Sequence, residues 1–172
     1  MWYVIWTVTD GEEEMTGRIR SGLSGRLYRE CFCMRREYMK KLGGEWVELT
    51  KPLFPGYVFL DTDRPEEAFC CIKKIPGFAV LLGDREGAFI PLEREEEAFL
   101  KRLRRNAPGY LVKNTTVYLN KEGNVCRLKG PLEPFQERIR EMNLRKRYAV
   151  LDIPLRGRKK TALFGIRLEK DG

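Results

Sequence analysis

The apolar residues of this 172-residue chain come in short runs, and turn signals separate them. Asp10-Gly11 follows Trp2 to Thr9. Gly43-Gly44 separates Cys31 to Met39 from Glu45 to Thr50. Lys51 to Gly56 carries two prolines ahead of Tyr57 to Leu60. The rhythm returns in the back half, with runs at Thr116 to Leu119, Val125 to Leu128, Tyr148 to Ile153 and Thr161 to Ile166. Glu122-Gly123-Asn124, Gly130-Pro131 and Gly157-Arg158 supply the turns there. Short runs rich in β-branched and aromatic residues predict strands. None is long enough to span a bilayer. Hydrophobic residues make up 42% of the chain, enough to fill a core rather than leave it disordered.

Three segments follow a helical period instead. Glu12, Glu13 and Glu14 suit the first turn of a helix, where acidic groups complement its dipole. Met15, Ile19 and Leu23 then fall at i, i+4 and i+8, a buried stripe. Pro65 fits the first position of a second helix, which buries Ala68, Ile72 and Ile75 and ends at Pro76-Gly77. Glu93 to Arg105 is acidic at its start and basic at its end. Another strand is expected over Phe78 to Leu82. The front half thus reads β-α-β-β-β-α-β-α, an α+β domain with a mainly antiparallel sheet and packed helices. No glycine-rich phosphate loop follows the first strand, so a Rossmann unit is not supported. The back half suggests a small β-barrel. Pro134 to Lys146 stays open. Phe135, Ile139 and Met142 fit a helix face, and equally a bent barrel strand with Arg138 and Arg140 outward.

The chain has no histidine, which removes imidazole bases, Ser-His-Asp relays and His-ligated zinc. Glu93, Glu95, Glu96 and Glu97 read as a solvated helix face, not an acid/base pair. The cysteines are Cys31, Cys33, Cys70, Cys71 and Cys126. Their odd number and the lack of a C-x-x-C pair argue against a disulfide framework or zinc ribbon. Reduced, mostly buried thiols in a cytoplasmic protein are expected. The start, Met1 to Val8, lacks the basic region and cleavage site of a signal peptide.

Charge divides the chain. Residues 1–100 carry 14 basic and 18 acidic side chains, a balance of −4, and residues 101–172 carry 19 and 7, a balance of +12. Asn106-Ala-Pro-Gly109 marks the boundary. A basic back half of this kind points to nucleic acid. The candidate phosphate and base contacts are Arg127, Lys129, Arg138, Arg140, Arg145, Lys146, Arg147, Arg156, Arg158, Lys159 and Lys160. Tyr110, Tyr118 and Tyr148 are candidates to stack on bases.

The string Lys51-Pro-Leu-Phe-Pro-Gly-Tyr-Val-Phe-Leu60 resembles the core of the amino-terminal (NGN) domain of the NusG/Spt family of transcription elongation factors. Trp2-Tyr3-Val4, Ile75 to Gly83 and Ile90-Pro-Leu92 are similar to that family too. Gly123 to Phe135 looks like the opening of its KOW domain, and Gly157-Arg158 with Leu168-Glu-Lys170 fits the end. The resemblance implies an NGN domain over 1–105, a linker over 106–113 and a KOW β-barrel over 114–172. Glu137 and Asn124 depart from the usual KOW pattern. The short linker, Leu53-Phe-Pro and the basic KOW half resemble specialised members of the LoaP/RfaH type.

The resemblance implies a factor that docks on the clamp helices of the largest RNA polymerase subunit and suppresses pausing and termination. Docking needs an apolar patch, for which Trp6, Phe54, Pro55, Tyr57, Leu81 and Leu82 are the candidates. Nascent RNA, including a structured leader hairpin, and a ribosomal protein are the further partners it suggests. No bond is made or broken in this reading, and no cofactor, metal, membrane or second copy is required. The alternative is a general RNA-binding KOW protein linked to ribosome assembly or translation. An enzyme acting on nucleic acid is the least supported.

Overall fold

The computed structural model describes residues 1–76, 90–155 and 158–171, and its elements follow the turn signals. In chain order they begin with β1 (Trp2–Trp6), α1 (Glu12–Gly22), β2 (Glu30–Phe32), β3 (Arg35–Leu42), β4 (Glu45–Pro52), β5 (Tyr57–Asp61) and α2 (Pro65–Ile72). After them come β6 (Ile90–Pro91), α3 (Arg94–Arg105), β7 (Leu111–Val112), β8 (Thr115–Leu119), β9 (Val125–Lys129), β10 (Ile139–Asn143), β11 (Tyr148–Leu155) and β12 (Arg158–Leu168). Two compact units result. One holds Met1–Met34 and Phe54–Glu97, the other Arg35–Leu53 and Ala98–Gly172.

The first unit is a four-stranded antiparallel sheet in the order β2-β5-β1-β6. Side chains alternate across it. Ile5, Val58, Leu60 and Cys31 form one cluster with Met15 and Ile19 of α1, Leu23 just past its end, Ala68 and Ile72 of α2, and Ile75 in the turn after it, short of the helix end expected at Pro76-Gly77. Truncating a buried residue such as Ile19 to Ala would cost about 2–5 kcal/mol. The other sheet face carries a run of rings. Trp2 meets Phe32 at 5.1 Å, Phe32 meets Phe59 at 5.3 Å, and Phe59 meets Phe54 at 5.8 Å. The acidic start of α1 does more than complement the dipole. Glu12 is buried, and its carboxylate accepts the Gly56 N–H at 2.6 Å. That bond ties the helix to the turn before β5. Only glycine suits the turn, because Gly56 has a φ of +80° and a Cβ there would lie 2.9 Å from the Thr7 carbonyl oxygen.

The second unit joins two sheets. β3 and β4 form a hairpin paired from Arg35↔Pro52 to Leu42↔Glu45. Gly43 and Gly44 both have positive φ, as a two-residue hairpin turn requires. β7 adds to β3 in parallel. The larger sheet runs β10-β11-β12-β8-β9, and β12 pairs β8 in parallel. Val117, Leu128, Leu151, Ile153, Phe164 and Ile166 are buried from this sheet, and Phe99 of α3 meets Phe135 at 5.2 Å. Among the described residues β9 and β10 are edge strands, so hydrogen bonds do not close the sheet into a ring.

Two local expectations change. The run Cys31 to Met39 is two strands, because pairing passes from β5 at Phe32 to β4 and β7 at Arg35. Pro134 to Lys146 is neither one helix nor one strand. A 3-10 turn over Glu133–Arg138 buries Phe135, and β10 follows. The strand expected over Phe78 to Leu82 lies outside the described residues.

Candidate functional site

The first candidate surface lies where β1 ends and β5 begins. Trp6 pairs with Tyr57 in the register, and the two rings stack at 6.4 Å with an angle of 24°. The Thr7 N–H donates to the Gly56 carbonyl at 2.9 Å, which holds the turn against the strand end. Trp6 is 41% exposed and Val8 56%, while Pro55 is exposed and Tyr57 half-buried. Large apolar groups displayed together in this way are unusual unless something covers them.

Phe54 is corrected by the structure. The sequence reading presents it at the turn beside Tyr57, but its ring is only 1% exposed. The Tyr57 N–H donates to the Phe54 carbonyl at 3.1 Å, closing the turn so that Pro55 stands out and Phe54 points in. Phe54 packs on Phe59 and lies 6.5 Å from Tyr57, so it supports the patch from below. Leu81 and Leu82 lie outside the described residues.

The second candidate surface is the basic part of the second unit. Arg127 and Lys129 are exposed on β9, and the Arg127 guanidinium lies 5.5 Å over the Tyr118 ring. Arg145 and Lys146 are exposed in the turn before β11, where the Lys146 N–H donates to Asn143 Oδ1 at 2.8 Å. Lys159 is exposed and Lys160 half-buried at the start of β12. Two arginines are engaged elsewhere. Arg138 lies over the Phe99 ring at 5.1 Å, and Arg140 pairs with Asp152 at 3.1 Å. Arg156 lies outside the described residues, and Arg158 opens β12.

Arg147 is a second correction, because its side chain is buried. Nε and Nη2 donate to the Asp171 carboxylate at 2.7 and 2.8 Å, and the guanidinium lies 4.5 Å over the Trp46 ring. Burial would raise the Asp171 carboxyl, but the Arg147 guanidinium and the Leu168 N–H hold it below its ordinary value. Nothing is left of Arg147 for a phosphate to reach.

Chain order also misplaced five cations. Arg35, Arg36, Lys40, Lys41 and Lys51 belong to the acidic front half by number but to the second unit in space. Lys51 Nζ lies 4.4 Å over the Tyr38 ring, and burial pulls the Arg36 guanidinium down to about 10. The alternation Arg-x-Tyr-x-Lys over residues 36–40, opposed by Lys51, was the available signal. The thiols differ from expectation too. Cys31 is buried and pushed up to about 12 by that burial, while Cys70 and Cys126 are exposed. Among the described residues no group of three or more Cys, Asp or Glu could hold a metal ion, and no helix is long and apolar enough to cross a membrane.

A family model described as "Transcription termination factor nusG" matches residues 1–122. The chain belongs to the NusG family. The match takes in the first unit, the β3–β4 hairpin, α3 and β8. The chain is also similar to a solved structure described as "Domain interaction in Thermotoga maritima NusG", at 19% identity and a TM-score of 0.48, covering 95% of this chain and 92% of that one. No match was found among curated proteins. Membership places this NusG protein in transcription elongation and termination.

Proposed function

We propose that this NusG protein is a specialised antiterminator of the LoaP/RfaH type. Its NGN part docks on the clamp helices of the largest RNA polymerase subunit, and its basic second unit holds the nascent transcript. The exposed stack of Trp6 on Tyr57 carries the docking half of this reading. Pro55 stands out in the adjoining turn, Phe54 backs the stack, and Leu81 and Leu82 are its remaining candidates from the sequence. Aromatic anchors at an interface centre contribute most of the affinity, with polar surroundings excluding water.

The RNA half is supported by charge. The second unit holds 24 Lys and Arg against 10 Asp and Glu, a balance of +14. Lys and Arg on phosphates release counterions, so affinity falls with salt. In this reading residues 114–172 are a KOW-type module, and the compact second unit combines it with the β3–β4 hairpin. No bond is made or broken. A factor that binds the elongating polymerase more tightly than the paused one shifts the population toward elongation.

The test is a reconstituted elongation complex on a template with a terminator. Read-through should rise with the intact chain and return to baseline with the double variant W6A/Y57A. A chain that binds RNA but is not retained by purified polymerase would favour a general RNA-binding role in ribosome assembly or translation.

A further inference from the structure

One face of the second unit places an aromatic ring among cations across neighbouring strands. Arg167 of β12 pairs with Thr116 of β8, and Thr116 pairs with Lys129 of β9. Two positions along, Tyr118 pairs with Arg127. Directly paired residues share a sheet face. The opposite face at these positions holds Val117, Leu128, Ile166 and Leu168, all buried. Arg167, Thr116, Lys129, Tyr118 and Arg127 therefore face outward together. Arg127 and Lys129 are exposed, and Tyr118 and Arg167 are half-buried. Among the described residues no carboxylate pairs with Arg127, Lys129 or Arg167. Arg140, two strands away from Arg167, is neutralised by Asp152.

We infer that this face of β12, β8 and β9 is a platform for single-stranded RNA. A base stacks on the Tyr118–Arg127 pair, and Arg167 and Lys129 take the flanking phosphates. The inference rests on the RNA reading of the second unit and deepens it to a face and a strand form. Neighbouring strands lie about 4.8 Å apart, which sets the backbones of Arg167 and Lys129 roughly 10 Å from each other, a separation that their long side chains can close towards the phosphates on either side of one base. The Arg127 guanidinium lies 5.5 Å from the Tyr118 ring centroid, and a base can stack on an aromatic ring or on a guanidinium plane. A duplex hides its base faces within its own stack, so it can use the cations but not the ring. The preference is therefore for a single strand, with little demand on sequence.

The test uses the full chain and two labelled probes, an oligouridine single strand and an RNA duplex of equal length, titrated by fluorescence anisotropy over a salt series. Tyr118→Leu should weaken single-strand binding roughly tenfold, as loss of one stacked base does, with the duplex and the salt slope unchanged. Tyr118→Phe should bind as the parent does. The triple variant R127A/K129A/R167A should flatten the single-strand salt slope by about 0.7 for each phosphate no longer neutralised. Thermal melts identify variants that remain folded, and photocrosslinking of the parent to an iodouridine-substituted strand locates the bound strand without mutation, with the adduct expected on β8 or β9. Unchanged binding by Tyr118→Leu, or a crosslink mapping outside these strands, would overturn the platform while leaving the RNA reading intact. A parent chain that binds neither probe would remove both.

Discussion

The two units differ in charge more than the two halves of the chain do. The first holds 9 Lys and Arg against 15 Asp and Glu, a balance of −6, and the second 24 against 10. Cut at residue 100 the contrast is −4 against +12, and cut between the units in space it is −6 against +14. The sharpening comes from the β3–β4 hairpin, where the basic β3 outweighs the acidic β4 and which belongs to the basic unit. The units also differ in what they display. The acidic one shows stacked aromatics at a strand end, which suits a protein partner. The basic one shows cations around a tyrosine, which suits a polyanion. In the proposed reading function divides between the units in space, as the charge does, and not along chain order.

The most damaging way to break this contrast is to remove a charge that the basic unit has buried. Arg147→Met leaves the Asp171 carboxylate, only 3% exposed, without its partner. Breaking such a pair costs about 3–5 kcal/mol, read as a lower urea midpoint. The pair also sets an acid dependence. The folded-state pKa of Asp171 lies below its ordinary 3.8, so the stability it contributes is present above that value and lost as pH falls through the folded one. Parent and R147M should converge in stability under acid. A gap that stayed constant down to low pH would mean the pair is not the source.

Next in size is Gly165→Ala. An added Cβ would sit 1.9 Å from Asn114 Oδ1 and 2.3 Å from the Glu37 carbonyl oxygen, so β12 could not pass β3 as closely as it does. Overpacking of this kind costs about 1–3 kcal/mol. Thermal denaturation should show the loss. A neutral substitution would mean that the hairpin does not pack tightly in the second unit.

The docking patch comes third. Trp6→Ala and Tyr57→Ala should each weaken polymerase binding by about 2 kcal/mol, close to thirtyfold, in a pull-down or titration with purified polymerase. RNA affinity should not move. Loss of both activities together would blur the division between units.

The smallest effect sharpens the basic unit itself. Replacing Arg145 and Lys146 with Ala should lower affinity for every RNA tested and reduce the salt slope by about 0.7–0.9 for each phosphate left without its cation. Arg140→Ala should do less, since Asp152 already holds that guanidinium. Equal effects from Arg140 and Lys146 would mean the ion pair opens on binding.

The sequence by itself determined most of the elements. The i, i+4, i+8 stripe of Met15, Ile19 and Leu23 is buried as α1 presents it, and the Gly43-Gly44 turn sits between β3 and β4. Both are local consequences of period and backbone freedom, so neighbouring residues suffice to read them. The strings around Phe54-Pro-Gly-Tyr57 pointed to the family that the match over residues 1–122 shows. Tertiary structure alone decided which of the candidate site residues are covered. Phe54 turns inward because the chain reverses at Gly56, and Arg147 is buried because Asp171 and Trp46 meet it from distant positions. The row of Arg167, Thr116 and Lys129 exists only through strand register, which brings residues far apart in sequence onto one face. Register and burial depend on partners the local sequence does not contain, and the hairpin's place in the basic unit follows from the same long-range pairing.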